Sequence, residues 1–195
     1  MLFVLFFYSN FIYANGYLYD LIQRSDVSSI ATNANPSFSF ESEAQVLMEV
    51  ETGNILYANN AEEKMLPASV TKLMTLLLLM EKIDSGTISY SDTIICSKNA
   101  SEMGGSQIWL EEGEEMTVDE LLRATAIGSA NDAATLLGEY VAGSEQGFID
   151  MMNSRAKELG MNNTNFENAT GLDDTTDTHL TTARDIGIMS LELLK

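Results

Sequence analysis

From Leu73 to Met80 the chain reads Leu-Met-Thr-Leu-Leu-Leu-Leu-Met, a run in which one hydroxyl is the only polar group. Opened by Pro67 and Ser69 and closed before Gly86, it is expected to form a helix buried on most sides, around which other elements must pack. Just ahead of it stands Leu66-Pro67-Ala68-Ser69-Val70-Thr71-Lys72. Ser69 and Lys72 are three apart, so on a helix they share one face of the first turn. A hydroxyl then lies beside an amine, close to the unpaired N–H groups of a helix start. Ser-x-x-Lys is a short pattern that chance also supplies, so its meaning depends on the rest of the chain.

Two apolar runs, Ala44–Val50 and Ile55–Ala58, are joined by Glu51-Thr52-Gly53-Asn54 and predict a β-hairpin. Ser91–Ser97 is expected as a short strand. It is followed by a turn at Met103-Gly104-Gly105-Ser106, then Trp109 and an acidic turn at Glu111–Glu115. Thr117 and Glu120 have capping-box spacing at the head of a helix running to Ile127. The pattern breaks at Gly128-Ser129-Ala130-Asn131-Asp132 and resumes from Ala133 to Val141. A further helix is expected over Ser144–Leu159, then a loop over Asn162–Gly171 with a short strand at Asn165-Phe166. A last helix opens at Thr181–Asp185. Helices dominate after residue 66, the only clear strands lie before it, and two strands are too few for a sheet that stands alone.

The length, 195 residues, and a hydrophobic fraction of 45% suit one globular domain. A formal net charge of −19 repels phosphate backbones and excludes nucleic acid as a partner. Cys96 is the single cysteine and His179 the single histidine, so neither an internal disulfide nor a two-histidine metal site can form. No metal and no cofactor is expected. Cys96, inside Thr93-Ile94-Ile95-Cys96, reads as a small buried hydrophobe.

Met1–Ala14 has the apolar core of a signal peptide ending in Ile12-Tyr13-Ala14, although its first basic residue, Arg24, comes only later. The alternative is a buried apolar segment. Residues 15–43 form a polar spacer, and 44–195 the folded part.

Ser129-Ala130-Asn131 sits between two helices. Ser129 or Asn131 could simply cap the helix that follows, or their side chains could project into a cleft. Taken with Pro67-Ala68-Ser69-Val70-Thr71-Lys72, the second reading prevails, because the two elements together form a known catalytic combination.

On these motifs the sequence resembles the penicillin-binding protein and serine β-lactamase superfamily, and more narrowly the low-molecular-mass D-alanyl-D-alanine carboxypeptidases. The likeness runs through Ala44–Tyr57, Met65–Glu81, Ile127–Gly143, Asn168–Leu172 and His179–Asp185. It implies a β-lactamase/transpeptidase-like α/β fold of the α+β type, an antiparallel sheet flanked by helices with a helical subdomain. It also implies that Ser69 attacks the carbonyl of the penultimate D-alanine and that Lys72 is its base. Ser129 would relay a proton to the leaving amine, and Asn131 would bind the substrate amide and help orient Lys72. The implied partners are a peptidoglycan stem peptide ending in D-Ala-D-Ala and β-lactam antibiotics, outside the cytoplasm. Gly104-Gly105-Ser106 reads as a turn near the cleft, Arg184 and Asp185 as braces of the fold, and His179 as lying outside the motif set.

The superfamily's third motif, Lys-Thr-Gly on a cleft strand, does not occur in the sequence. Glu51-Thr52-Gly53 and Ala169-Thr170-Gly171 share its letters at the wrong place in the order. The chain is therefore expected to be an N-terminal part of a longer protein, lacking the C-terminal sheet strands and any membrane-attaching region beyond them, and unable to turn over alone. A class A-like β-lactamase is the alternative enzyme, disfavoured because Glu167-Asn168-Ala169-Thr170-Gly171 departs from Glu-x-x-Leu-Asn and Ser-Ala-Asn from Ser-Asp-Asn. A catalytically incompetent wall-associated protein is the third reading.

Overall fold

The computed structural model describes residues 41–172 and 177–195, together with the strand Phe3–Phe7. Most of the expected signal peptide and almost all of the spacer lie outside these residues. Strand β1 (Phe3–Phe7) runs parallel to β2 (Gln45–Glu49), which pairs antiparallel with β3 (Ile55–Asn59). The hairpin expected from the sequence is thus present, with a bulge between Leu47 and Met48. The sheet is mixed, not purely antiparallel as expected, because the β-forming run at Phe3–Phe7 takes the second edge of β2.

A single turn of 3-10 helix, Ala68–Thr71, leads without a break into α1 (Lys72–Asp84). After Gly86, at φ +72°, come β4 (Thr93–Ile95) and the one-turn α2 (Lys98–Ser101). Strand β5 (Glu115–Thr117) pairs antiparallel with β4. The sequence reading placed only an acidic turn there, because three residues are too few to show a strand period. Helix α3 (Val118–Gly128) begins on the expected capping box: Thr117 Oγ1 accepts from Glu120 N–H, and the Glu120 carboxylate accepts from Thr117 N–H at 2.9 Å. Then follow α4 (Asn131–Ala142), α5 (Glu145–Glu158) and α6 (Ala183–Leu193), the last two capped by Ser144 and Thr182.

Helix α1 lies between two cores, as its nearly all-round apolar sequence requires. Leu79 joins Val118, Leu121, Ala133 and Leu137 on one side. Met74, Leu77 and Leu78 meet Phe148, Met152, Phe166 and Met189 on the other. A third cluster holds Val46 and Met48 of the sheet with Ala183 of α6, and Gly187 lets the helix backbone come close to Met48. Arg155 of α5 ties this packing together. Its guanidinium meets Glu81 of α1 at 2.8 Å, Glu192 of α6 at 2.9 Å and Glu158 at 3.2 Å. Among the described residues no helix is long and apolar enough to cross a membrane.

Candidate active site

The junction of the 3-10 turn and α1 sets the geometry. Ser69 is exposed, whereas Lys72, at the first position of α1, is only 4% exposed. The lysine Nζ reaches back one turn to donate to Ser69 Oγ at 3.2 Å and across to donate to the Thr170 carbonyl at 2.9 Å. No carboxylate pairs with Lys72 among the described residues. Burial without a counter-charge pushes its ammonium down to about 8. An accessible hydroxyl and a buried amine near neutrality are therefore in contact, which is the arrangement a nucleophile and its base require.

Beneath the turn lies the loop Asn168–Gly171. Asn168 shapes it: Oδ1 accepts from Thr170 N–H at 3.0 Å and Gly171 N–H at 2.6 Å, and Nδ2 donates to the Leu172 carbonyl at 3.1 Å. This self-bonding asparagine is an Asx-type turn. It points the Ala169 carbonyl at Thr75 Oγ1, 2.8 Å away, and the Thr170 carbonyl at Lys72. Gly171, at φ +75°, packs directly against the Ala68 carbonyl, and a Cβ placed there would also fall 2.7 Å from Thr71 Oγ1. Ala68 itself has φ +45°. The turn carrying Ser69 and the loop holding Lys72 are sterically interlocked.

His179 completes the support. It is fully buried, hydrogen-bonded through Nε2 to Thr71 Oγ1 at 3.0 Å and edge-on to Phe166 at 5.8 Å. It braces the turn from below. Arg184 pairs with Glu62 at 2.9 Å, and Asp185 accepts from Asn163 N–H and Thr164 Oγ1. Both hold the fold, as the sequence suggested, through other partners than each other.

Ser129 and Asn131 occupy the turn between α3 and α4. Neither caps α4: its N-cap is Ala130, with no side-chain cap bond, and Ser129 ends α3 at φ +55°. Asn131 was expected to help orient Lys72. Among the described residues it makes no bond to that amine. Its Nδ2 donates to the Gly104 carbonyl and its N–H to the Ser106 carbonyl, each at 2.7 Å, because the Gly104–Ser106 loop lies directly over it. A Cβ at Gly105 would fall 2.7 Å from that same Nδ2 and 3.5 Å from Leu172 Cδ1. Leu172 follows Gly171, so this loop and the Ser69 turn meet across Leu172.

A cleft of about 400 Å³ opens beside the serine, between Met65–Val70 and Thr181–Ala183. A larger hollow of about 510 Å³ lies away from it, between Tyr90 and the outer face of α3 around Ile127, and holds no candidate nucleophile. Glu167 accepts from Thr178 Oγ1. Among the described residues no group of three or more His, Cys, Asp or Glu side chains could hold a metal.

Asn168, Thr170 and Gly171 support the site, a role the sequence reading did not assign to them. Asn-x-Thr-Gly was legible as an Asx turn ending on a glycine, a combination that favours a left-handed backbone. No local signal tells that the turn lies under a serine a hundred residues earlier.

A family model described as D-alanyl-D-alanine carboxypeptidase matches residues 30–195. The D-alanyl-D-alanine carboxypeptidase DacF of Bacillus subtilis is 51% identical over 155 residues, covering 80% of this chain and 39% of the relative. DacC of Escherichia coli is 35% identical, with 80% and 40% covered. Among solved structures, the carboxypeptidase DacD of Francisella tularensis superposes with a TM-score of 0.75 at 36% identity, over 79% of this chain and 37% of that one. Penicillin-binding protein D2 of Listeria monocytogenes, in its ampicillin-bound form, gives 0.72 at 31% identity, over 82% and 64%. The chain spans about two fifths of the length of the curated relatives it matches.

Proposed function

The chain belongs to the D-alanyl-D-alanine carboxypeptidase family, with its β-lactamase/transpeptidase-like fold, and on that premise we propose that its site performs serine acyl transfer on stem peptides ending in D-Ala-D-Ala. The observation that carries this reading is the 3.2 Å contact between the exposed Ser69 hydroxyl and the buried Lys72 amine.

The steps follow from that contact. With a pKa of about 8, roughly a tenth of Lys72 is neutral at pH 7, against well under one part in a thousand for an ordinary lysine. The neutral amine takes the Ser69 proton as Oγ attacks the carbonyl of the penultimate D-alanine. The Ser69 N–H, one of the helix-start donors, donates to the oxyanion that develops. When the C–N bond breaks, the proton held on Lys72 passes through the Ser129 hydroxyl to the departing D-alanine amine. Asn131 donates to or accepts from the substrate amide beside it. Water then hydrolyses the Ser69 ester, releasing the shortened peptide. A β-lactam presents the same carbonyl to Ser69 and leaves a stable ester. The substrate places the work outside the cytoplasm, on a secreted or membrane-attached protein.

A class A-like β-lactamase needs a carboxylate that activates the deacylating water. Glu167 is engaged with Thr178, and no carboxylate bonds to Lys72 among the described residues, which favours slow deacylation. In the intact protein, labelled penicillin is expected to form a covalent adduct that Ser69→Ala abolishes. Free D-alanine should be released from diacetyl-Lys-D-Ala-D-Ala while penicillin is hydrolysed slowly. An adduct that survives Ser69→Ala would remove Ser69 as nucleophile, and fast penicillin hydrolysis would favour the β-lactamase.

A further inference from the structure

Trp109 is 77% exposed and has its backbone at φ +66°. A bulky side chain in the left-handed region is strained, and glycine or asparagine would take that conformation at lower cost. The indole recovers nothing by burial. Backbone strain of this kind persists only where the surroundings impose it.

Here the surroundings are specific. Asp132, fully buried at the head of α4, accepts from Ile108 N–H at 3.0 Å and from Leu110 N–H at 3.1 Å, the amides on either side of Trp109. Leu110 points into the core. One buried carboxylate thus clamps both neighbours and leaves the indole outward. The preceding residue, Asn131, holds the start of the same loop through the Gly104 and Ser106 carbonyls. Two consecutive residues, through both side chains and the Asn131 N–H, therefore fix the stretch from Gly104 to Leu110, whose first residues meet the Ser69 turn across Leu172.

We propose that Trp109 is a specificity-determining platform on which the stem peptide packs just N-terminal to its D-Ala-D-Ala end. This rests on the acyl-transfer reading above. Asn131 is there assigned to the amide preceding the scissile bond, so the peptide continuing away from the leaving D-alanine runs along the loop that Asn131 holds. An indole offers a flat apolar face at little conformational cost, which suits a peptide with few bulky groups. The exposed Glu111 and Glu112 just beyond it complement an amine on that segment.

The test compares two substrates on the intact protein: a stem pentapeptide with a lysine at its third position, and acetyl-D-Ala-D-Ala, which ends before Trp109 is reached. Trp109→Ala is expected to lower kcat/KM for the pentapeptide about tenfold and leave the short substrate within about twofold. Trp109→Phe should restore most of the loss. Labelled penicillin should still acylate Ser69 in both variants, which shows that the loop has not collapsed onto Asn131. A selective loss of less than about threefold, or equal losses on both substrates, would overturn the proposal. If the unsubstituted protein takes no penicillin label and releases no D-alanine from either substrate, the acyl-transfer reading fails, and the platform with it.

Discussion

At Lys72 an ammonium is taken out of water and given, among the described residues, two oxygens and no carboxylate. That choice of partners decides its chemistry. A carboxylate would hold the amine charged, whereas a hydroxyl and a carbonyl leave burial free to act, and the pKa falls to about 8. The base is the deprotonated form, so acylation of Ser69 by labelled penicillin should rise with pH, reach half its maximum near pH 8 and level off above. Lys72→Arg, whose guanidinium stays charged throughout that range, should lower the rate about 10²- to 10⁴-fold. A profile flat from pH 6 to pH 10 would remove Lys72 as the base. The sign for stability is the same: the folded pKa lies below the unfolded one, so Lys72 destabilises the fold below pH 8 and ceases to do so as pH rises towards about 10.4.

Among the elements, the contact between the 3-10 turn and the Asn168–Gly171 loop is the least forgiving. Gly171→Ala would drive a methyl into the Ala68 carbonyl while straining a left-handed backbone. Together these should cost about 2–4 kcal/mol in urea unfolding. Acylation should slow at the same time, because the displaced loop carries the carbonyl that holds Lys72. Full stability with full activity would show that the turn can shift freely. The sequence foretold much of this architecture wherever a signal was local. The Thr117–Glu120 box, the Gly53 hairpin and the apolar run of α1 each carry their instruction within a few residues. So did the 3-10 turn leading into α1, where i,i+3 spacing brings Ser69 to Lys72. Strand β5 was too short to read. The partners of Asn131 on the Gly104–Ser106 loop were not legible, because they are chosen by tertiary packing that no periodicity records. The contact by which His179, fully buried beneath Thr71, braces the turn spans 108 residues, beyond the reach of any local signal.

At the scale of the molecule, a chain of formal charge −19 gathers three carboxylates, from α1, α5 and α6, on one arginine. The guanidinium is largely shielded, with 22% of its side chain exposed, so bulk salt screens this cluster less than a surface pair. Arg155→Met should therefore destabilise the fold by about 1–2 kcal/mol at pH 7, mostly through repulsion among the acids left behind. Part of that loss should return in high salt, which screens the repulsion among the acids left behind. Urea midpoints at low and high salt decide it, and a loss unchanged or deepened in high salt would assign the cost to packing of the arginine stem.

The clamp that Asn131 and Asp132 place on the Gly104–Leu110 loop is built wholly from bonds to main-chain atoms. Between the glycine required at Gly105 and the buried Leu110, side chains on that loop are free of the job of holding it in place. The turn that carries Ser69 has no such freedom, since Gly171, Ala68 and Thr71 constrain one another by contact. The serine turn is therefore a fixed tool and the loop over Asn131 a replaceable part. A library varied at positions 107–109 should change which peptides are accepted while leaving the chemistry at Ser69 untouched.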